Sequence, residues 1–318
     1  MAEIGNDIFK AKELLEQGKL VAIPTETVYG LAGNALDSSS VAKIFEVKNR
    51  PYFDPLIVHV PDIDSVSKYA EEIPAKAKLL MNEFWPGPIT FLLTKKPIIP
   101  DLVTSGLDRV GIRCPHHSLT HELLKSLSFP LAAPSANPFG YVSPTTPQHV
   151  NDQLGDKIDY ILDGGECNVG IESTIVGFEN DETIVYRVGG LSVEKIELIV
   201  GDVKVQTQSV SNPHAPGQLQ SHYAPRKILK VGNIQELLIQ NKGKRIGILS
   251  FQKKYSGEEI NQQIILSHSG DLKEAAQKLF SALRELDKSN VEIILTEEVP
   301  NIGLGRAIND RLNRAAVK

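Results

Sequence analysis

Cysteine is scarce in this chain: only Cys114 and Cys167 occur among 318 residues, and they do not have C-x-x-C spacing. This scarcity favours neither a disulfide-stabilised scaffold nor a zinc site. Both residues are therefore interpreted as buried, reduced thiols. Excess positive charge is also lacking, because the formal net charge is −5. That balance argues against a chain built mainly to coat nucleic acid, although it is compatible with a local basic groove.

Long apolar runs are absent as well. No stretch approaches the roughly 20 residues that a membrane-spanning helix needs. Residues 1–9 contain Glu3 and Asp7 and have neither the basic nor the apolar region of a signal peptide. We therefore expect a cytoplasmic protein that makes no membrane contact.

The common catalytic motifs are also missing. The sequence has no G-x-S-x-G, H-E-x-x-H or G-x-x-x-x-G-K-[ST] string, so it carries no signature of a serine hydrolase, a zinc protease or a P-loop enzyme. A set of cationic and hydroxyl side chains remains: Lys48, Arg50, Arg113, Arg187, Thr27, Ser135, Ser143 and Ser173. This set suits phosphoryl or nucleotidyl transfer, in which the protein mainly positions charge.

The length of 318 residues is sufficient for two domains. Up to residue 205, the hydrophobic spacing predicts helices at 7–18, 38–47, 65–70, 75–84 and 193–198, and strands at 21–23, 56–60, 90–94, 110–113, 131–133, 160–163, 173–178 and 183–188. Strands and helices mix without strict alternation. The pattern predicts a mixed α/β sheet rather than a parallel barrel.

The character of the chain changes between residues 201 and 224, which are polar and interrupted by proline and glycine. Beyond them, strands at 228–231, 245–250, 263–266 and 291–296 alternate with helices at 234–240, 272–286 and from 306. This βαβ rhythm predicts a small Rossmann-like domain with a parallel sheet. We therefore divide the chain into a first domain at 1–205, a linker or lid at 206–225 and a C-terminal domain at 226–318.

The most informative segment runs from Pro24 to His59. It reads P-T-E-T-V-Y-G-L and, from Lys48, K-N-R-P-Y-F-D-P-L-I-V-H. The first string follows a short apolar run, 20–23, that is typical of a buried strand, and it presents hydroxyls and a carboxylate on the expected exit loop. The second places Lys48 and Arg50 two residues apart, just before Pro51, and this proline favours an extended backbone. Two cations that point the same way suit a polyphosphate. A solvated basic turn is the alternative for this string taken alone.

Together these strings resemble the YrdC family, in its long two-domain form. The resemblance extends along the chain through S-G-L-D-R-V-G-I-R-C-P at 105–115, A-A-P-S-A-N at 132–137, S-P-T at 143–145, E-S-T-I-V at 172–176, Y-R-V-G-G at 186–190 and H-Y-A-P at 222–225. It implies a YrdC-like mixed twisted sheet with flanking helices, plus the small Rossmann-like α/β domain.

The resemblance also implies a reaction. L-threonine and bicarbonate or CO2 form a carbamate, which attacks ATP to give threonylcarbamoyl-AMP and pyrophosphate. The product is used for threonylcarbamoyladenosine, next to the anticodon of tRNA. ATP carries in Mg²⁺, no tightly bound cofactor is expected, the product passes to the tRNA threonylcarbamoyl-transfer complex, and any direct tRNA binding is weak.

Residue roles follow from the same resemblance. Lys48 and Arg50 are the catalytic candidates that neutralise phosphate. The threonine site is expected at Thr27, His59, Arg113, Ala133 and Ser173, and the ATP site at Arg50, Asp54, Arg109, Ser135, Ser143, Arg187 and Tyr223. Simpler interpretations stay open for some of these: a core histidine for His59, turn capping for Ser135 and Ser143, and a solvated loop carboxylate for Asp54.

Two positions and the linker depart from the family pattern. Arg109 stands where a small hydroxyl residue is common, Val188 replaces a proline, and the linker lacks the basic and aromatic residues that often precede H-Y-A-P. Two other functions remain as alternatives. One is a carbamoyl-adenylate former of the hydrogenase-maturation type, for which the chain has too few cysteines. The other is an RNA-binding module, whose binding would need no ATP and would weaken steeply with salt.

Overall fold

The computed structural model describes residues 1–206 and 223–317. Most of the expected linker at 206–225, including His222, lies outside the described residues. Within the described residues, fifteen strands form two sheets: β1 Glu3–Gly5, β2 Val21–Ile23, β3 Gly30–Asn34, β4 Ile57–His59, β5 Ile89–Thr94, β6 Arg109–Arg113, β7 Leu131–Ala132, β8 Tyr160–Leu162, β9 Thr174–Glu179, β10 Glu182–Arg187, β11 Val203–Val205, β12 Ile228–Val231, β13 Ile246–Ser250, β14 Ile260–Ile265 and β15 Ile293–Thr296.

Helices flank these sheets. They are α1 Ile8–Glu16, α2 Ser38–Lys48, α3 Ala75–Phe84, α4 Asp101–Thr104, α5 Ser118–Ser126, α6 Pro147–Leu154, α7 Val193–Val200, α8 Ile234–Gln240, α9 Leu272–Lys288 and α10 Gly305–Ala316, with a 3₁₀ helix at Asp64–Lys68. Within the described part of the chain, no helix combines the length and the apolar character that crossing a membrane requires.

The large sheet has eleven strands in the order β1-β8-β2-β3-β7-β4-β6-β5-β9-β10-β11. The sheet contains both parallel pairs, such as β4 with β6, and antiparallel pairs, such as β5 with β6. The small sheet has the order β12-β15-β13-β14, and its strands pair in parallel throughout. The mixed sheet and the parallel C-terminal sheet predicted from the sequence are both confirmed.

Several elements were not predicted from the sequence, among them β3, α5 and α6. The G-L-A-G-N sequence of β3 contains no β-branched residue, so its local propensity for a strand is low. Antiparallel pairing with β2 on one side and with β7 on the other makes it a strand. An ideal Cβ on Gly30 would lie 3.1 Å from the Cβ of Ala133. Glycine therefore permits a close approach of β3 to the chain beside the cavity described below.

The two domains share one apolar interior. The largest group of buried hydrophobic side chains includes Val142 and Ile171 from the first domain and Leu279 and Leu283 from α9. Gly170 packs so closely on this helix that an added Cβ would lie 2.4 Å from the Cα of Gln277. Helix α9 is therefore a structural support of the first domain and not a separate appendage.

Candidate active site

Local structure at the end of α2 presents the first two cations. Asp37 caps the start of this helix by accepting hydrogen bonds from the amides of Ser39 and Ser40. At the other end, Asn49 adopts a left-handed conformation with φ 53°, a usual role for asparagine after a helix. Lys48 and Arg50 stand on either side of this turn and are only 1% and 8% exposed. That burial excludes the solvated-turn alternative.

Sheet register brings His59 and Arg113 together. They are opposite partners at the ends of the parallel strands β4 and β6. Ala133 follows β7, and its amide donates to the carbonyl of Ile57 on β4. Ser173 immediately precedes β9, and Arg187 ends the neighbouring strand β10. Residues distant in sequence thus meet over one region of the large sheet.

A cavity with about 570 Å³ of empty space, part of it open to solvent, lies over this region. Its lining residues are Thr25, Thr27, Val28, Gly30, Arg50, Pro55, Ile57, His59, Arg113, Ala133, Pro134, Ser135, Glu172, Ser173, Arg187 and Tyr223. The list includes all five positions expected to bind threonine. It also includes Arg50, Ser135, Arg187 and Tyr223 from the expected nucleotide site.

Hydroxyl groups and a neutral imidazole form one part of the lining. The hydroxyls of Thr25 and Thr27 are 2.8 Å apart, and the Ser173 hydroxyl is 2.8 Å from that of Thr90. Burial, together with the charge of nearby Arg113, lowers the pKa of His59 to about 3. Nδ1 of this imidazole has no hydrogen-bond partner among the described residues. The part around Thr27, His59, Arg113 and Ser173 is called the amino-acid half below.

The Arg113 guanidinium is paired with a carboxylate that was not among the expected site residues. Its Nη2 lies 2.7 Å from Oε2 of Glu26, and both side chains are 5% exposed. Glu26 lies on the connection between β2 and β3, within the P-T-E-T string. An ion pair this deeply buried is costly to separate, because either partner alone would leave an uncompensated charge.

Arg50 is also paired with a buried carboxylate. Its Nη2 lies 2.8 Å from Oδ2 of Asp54, while Nε and Nη2 donate to the carbonyls of Asp54 and Pro55. Burial lowers the pKa of Arg50 and raises that of Asp54, although the charge of each opposes the shift of the other. Asp54 is fully buried and is not a solvated loop carboxylate. The region around Arg50 and Arg187 is called the nucleotide half below.

Lys48 does not line the cavity. Its amino group donates to the carbonyls of Ser135 and Asn137. Burial, with a smaller contribution from Arg50, lowers its pKa well below the ordinary lysine value. Lys48 therefore ties α2 to the 135–137 loop, and its catalytic assignment stays a prediction.

Arg187 joins the two halves. Its Nε and Nη2 donate to the carbonyl of Ser173, at 3.0 and 2.9 Å, and Nη2 also donates to the Ser173 hydroxyl. The same serine thus belongs to the amino-acid half and fixes a cation of the nucleotide half. Burial is the main reason why the pKa of Arg187 is lowered.

Ser143 and Arg109 lie outside the lining. The Ser143 hydroxyl donates to Oε1 of Glu172, which does line the cavity. Arg109 pairs with Glu179 at 2.8 Å, donates to the hydroxyl of Tyr186 and lies over that ring. Their assignment to the nucleotide stays a prediction, and any contact by Arg109 needs its main chain or a different side-chain position.

The C-terminal domain reaches the cavity wall through Arg311 on α10. Its Nε donates to Oε2 of Glu172 at 2.9 Å, and Nη2 donates to the carbonyl of Val188. The guanidinium also lies 5.0 Å from the ring centroid of Tyr223, which stacks on Phe280 of α9. Burial lowers the pKa of Arg311, but Tyr223, Glu172 and Asp310 outweigh that effect and raise it.

Three residues that hold the site together were not predicted from the sequence: Glu26, Glu172 and Arg311. Glu26 and Glu172 directly precede Thr27 and Ser173 within the motifs given above, and this adjacency could have indicated that they belong to the site. Arg311 lies on α10, and its contacts with Glu172 and Val188 dock this helix against the first domain.

Replacement of Arg311 is expected to destabilise the chain strongly. Arg311→Met removes the partner of Glu172 and leaves that carboxylate buried, which costs about 3–5 kcal/mol. Urea unfolding of the full-length chain measures this loss, and the double variant Arg311→Met/Glu172→Gln should recover part of it. The half-exposed pair of Arg306 with Glu194 offers a control, since Arg306→Met should cost about 1 kcal/mol or less. Equal losses for the two single variants would contradict the buried-pair account.

His59 is expected to make folding sensitive to acid. Its pKa is about 3 in the fold and about 6.5 when the chain is unfolded, so the unfolded state binds the proton first as pH falls. The stabilisation is complete above pH 6.5 and declines towards pH 3. Between pH 7 and 5, protonation of this group should lower the free energy of unfolding by about 2 kcal/mol. In His59→Gln, the pH dependence of the free energy of unfolding, measured with urea, should be smaller by that amount. An unchanged slope in the variant would contradict this assignment.

Similarity to known proteins agrees with this geometry. A family model of the Sua5/YciO/YrdC group, described as "Telomere recombination", matches residues 13–189. A second, described as "Threonylcarbamoyl-AMP synthase, C-terminal domain", matches residues 191–317. The chain is 39% identical to the "Threonylcarbamoyl-AMP synthase" of Pyrococcus abyssi, over 96% of this chain and 93% of that protein. Identity to the protein of that name from Bacillus subtilis is also 39%, over 97% and 92%.

A solved structure gives the same result for the fold. The crystal structure of Pyrococcus abyssi Sua5 complexed with L-threonine superposes with a TM-score of 0.92 at 36% identity, covering 99% of this chain and 97% of that one. The chain belongs to the Sua5/YciO/YrdC family. Within it, the chain has the two-domain architecture of the threonylcarbamoyl-AMP synthases, as the second family match and the full-length relatives establish.

Proposed function

We propose that this chain is an L-threonylcarbamoyladenylate synthase, which makes threonylcarbamoyl-AMP from L-threonine, bicarbonate or CO2, and ATP, and releases pyrophosphate. The observation that carries the proposal is one cavity in which the buried side chains of Arg50, Arg113 and Arg187 meet threonine and serine hydroxyls. The full-length similarity to proteins named threonylcarbamoyl-AMP synthase supports it.

The chemistry explains why the cavity is rich in cations. The neutral amine of threonine forms a carbamate either with CO2, losing a proton, or with bicarbonate, releasing water. A carbamate oxygen then attacks the α-phosphorus of ATP. A new P–O bond forms while the bond to the β-phosphate oxygen breaks, and pyrophosphate leaves with the electron pair. The nucleophile is thus supplied by the substrate. The protein must neutralise phosphate, align the reactants and exclude water from two labile species.

In the amino-acid half, Arg113 binds the carboxylate of threonine. Thr27 and Ser173 offer hydroxyl groups to the substrate hydroxyl, and the neutral imidazole of His59 supplies a further polar contact. Ala133 contributes main-chain atoms. The threonine complex of the Pyrococcus abyssi protein, similar over nearly its whole length, supports this substrate.

In the nucleotide half, Arg50 and Arg187 bind the phosphates of ATP. Asp54 holds Arg50, Ser135 and Tyr223 contact the nucleotide, and Ser143 and Arg109 retain the roles that the resemblance assigns to them. Among residues 1–206 and 223–317 there is no group of three or more His, Cys, Asp or Glu side chains suited to a metal ion. As the family resemblance implies, Mg²⁺ enters with ATP and neutralises phosphate charge.

The product supplies threonylcarbamoyladenosine synthesis at the tRNA adenosine next to the anticodon, through a separate transfer complex. We place this activity in the cytoplasm. With a net charge of −5, direct tRNA binding is weak. Binding of RNA that needs no ATP and falls steeply with salt would instead favour the RNA-binding alternative.

Pyrophosphate release from ATP tests the proposal. In bicarbonate buffer, the full-length chain should release pyrophosphate only when L-threonine is present. Release that is indifferent to threonine would overturn the proposed function, and so would its absence under every condition in which the chain is folded.

A further inference from the structure

Two of the buried arginines in the cavity carry their own buried carboxylate. Arg50 has Asp54 at 2.8 Å, and Arg113 has Glu26 at 2.7 Å. The two carboxylates come from different parts of the chain: Glu26 from the connection after β2, and Asp54 from the loop after α2. Each half of the cavity therefore contains a separate ion pair.

The Glu26–Arg113 pair keeps unused hydrogen-bonding capacity. Neither carboxylate oxygen of Glu26 has a hydrogen bond among the described residues, nor do Nε and Nη2 of Arg113, although Oε2 and Nη2 are close. Glu26 itself is not part of the cavity lining, whereas Arg113 is. The carboxylate thus acts on a ligand through its charge and through the arginine that it holds.

The charge balance of the Glu26–Arg113 pair determines which ligand charges the amino-acid half can accommodate. A lone buried Arg113 would attract any carboxylate, but the pair with Glu26 has no net charge. Thr27 and Ser173 carry hydroxyls and the pKa of His59 is about 3, so these side chains add no charge to the amino-acid half. The cation that donates to the Ser173 hydroxyl, Arg187, is assigned to the phosphates of the nucleotide half. A ligand with a net charge would leave that charge uncompensated at low dielectric, whereas a zwitterion would not.

We propose that Glu26 is a specificity-determining residue, which sets the charge of the amino-acid half to zero and so makes it selective for a zwitterionic amino acid. This inference rests on the proposed function. It adds that the α-ammonium of threonine is selected by the field of Glu26, while Arg113 takes the carboxylate. Asp54 neutralises Arg50 in the nucleotide half and does not contribute to the selection of the amino acid.

Binding of three ligands with the same carbon skeleton tests the idea on the full-length chain. L-threonine is the zwitterion, 2,3-dihydroxybutanoate replaces the amine with a hydroxyl and is an anion, and threoninol lacks the carboxylate and is a cation. By calorimetry, the unmodified chain should bind threonine about tenfold or more tightly than either charged analogue. Equal binding of threonine and the anion would overturn the proposal without any variant.

Substitution of Glu26 gives the second arm. Glu26→Gln should reduce the preference for threonine over the anion by about tenfold or more, because Arg113 then remains as an uncompensated cation. Glu26→Asp, which keeps the charge, should retain most of the preference. Asp54→Asn is the matched control: it removes the other buried carboxylate and should weaken ATP binding while leaving the ligand ratio unchanged. Thermal unfolding of each variant shows whether it is folded.

The outcomes separate the two proposals. An unchanged ratio in folded Glu26→Gln, or an equal change in Asp54→Asn, overturns the role of Glu26 alone. Threonine binding with the expected charge preference but without pyrophosphate release overturns the proposed reaction and leaves the selectivity of the site standing. If the unmodified chain does not bind threonine, both proposals are wrong.

Discussion

Valine is expected to replace threonine with a kcat/KM about a thousandfold or more lower. The two amino acids are nearly the same size, so a pocket that recognised only shape would barely separate them. This pocket presents the Thr27 and Ser173 hydroxyls and the buried Nδ1 of His59. A methyl group in place of the substrate hydroxyl would leave Nδ1 of His59 buried without a hydrogen-bond partner, which is a large penalty.

Threonine-dependent pyrophosphate release, repeated with valine and with serine, measures this selectivity. Serine keeps the hydroxyl and loses only a methyl group, so its kcat/KM should fall by about 200-fold or less. It therefore serves as the matched control for lost apolar contact. Similar kcat/KM values for valine and threonine would contradict the assignment of Thr27, His59, Arg113 and Ser173 to one threonine site.

Arg50→Ala is the substitution with the largest expected effect on catalysis. The guanidinium is fixed by the carbonyls of Asp54 and Pro55 and lines the nucleotide half. Removing a preorganised charge that contacts phosphate should lower kcat/KM at least about a hundredfold, or about 2.7 kcal/mol of transition-state stabilisation. Steady-state pyrophosphate release measures the effect. Near-normal turnover would show that Arg50 has only a structural function.

The same substitution should also reduce stability, since Asp54 would remain buried without its partner, at a cost of about 3–5 kcal/mol. Arg50→Ala/Asp54→Ala removes both charges and should recover stability but not activity. This double variant separates the catalytic from the structural contribution. Arg245→Ala, at an exposed pair with Glu292 far along the chain, is the control for a generic loss of one arginine and should change stability by about 1 kcal/mol or less.

Much of the fold could be predicted from local signals. The buried run Val21–Ile23, the apolar face of α9 and the βαβ rhythm after residue 226 each correspond to an observed element. Strand β3 could not be predicted in this way, because its G-L-A-G-N sequence has no strand propensity of its own and depends on pairing with β2 and β7. Tertiary pairing overrides propensity at that point.

The side chains that line the cavity were easier to predict than the side chains that hold them. Thr27, His59, Arg113 and Arg187 lie in recognisable strings, and the structure brings them into one cavity. The partners of these groups depend on contacts between distant parts of the chain. Arg311 and Glu172 are 139 residues apart in sequence, and no local pattern indicates that one neutralises the other. Buried ion pairs of this kind become visible only in three dimensions.

The identity of the adenylate product tests the central claim most directly. The full-length chain should be incubated with ATP, L-threonine and ¹³C-bicarbonate, and the product analysed by mass spectrometry. The account predicts threonylcarbamoyl-AMP that contains the carbon atom of bicarbonate and the whole of threonine, formed in equal amount with pyrophosphate. An adenylate without the labelled carbon, or pyrophosphate released without any threonine-containing adenylate, would contradict it.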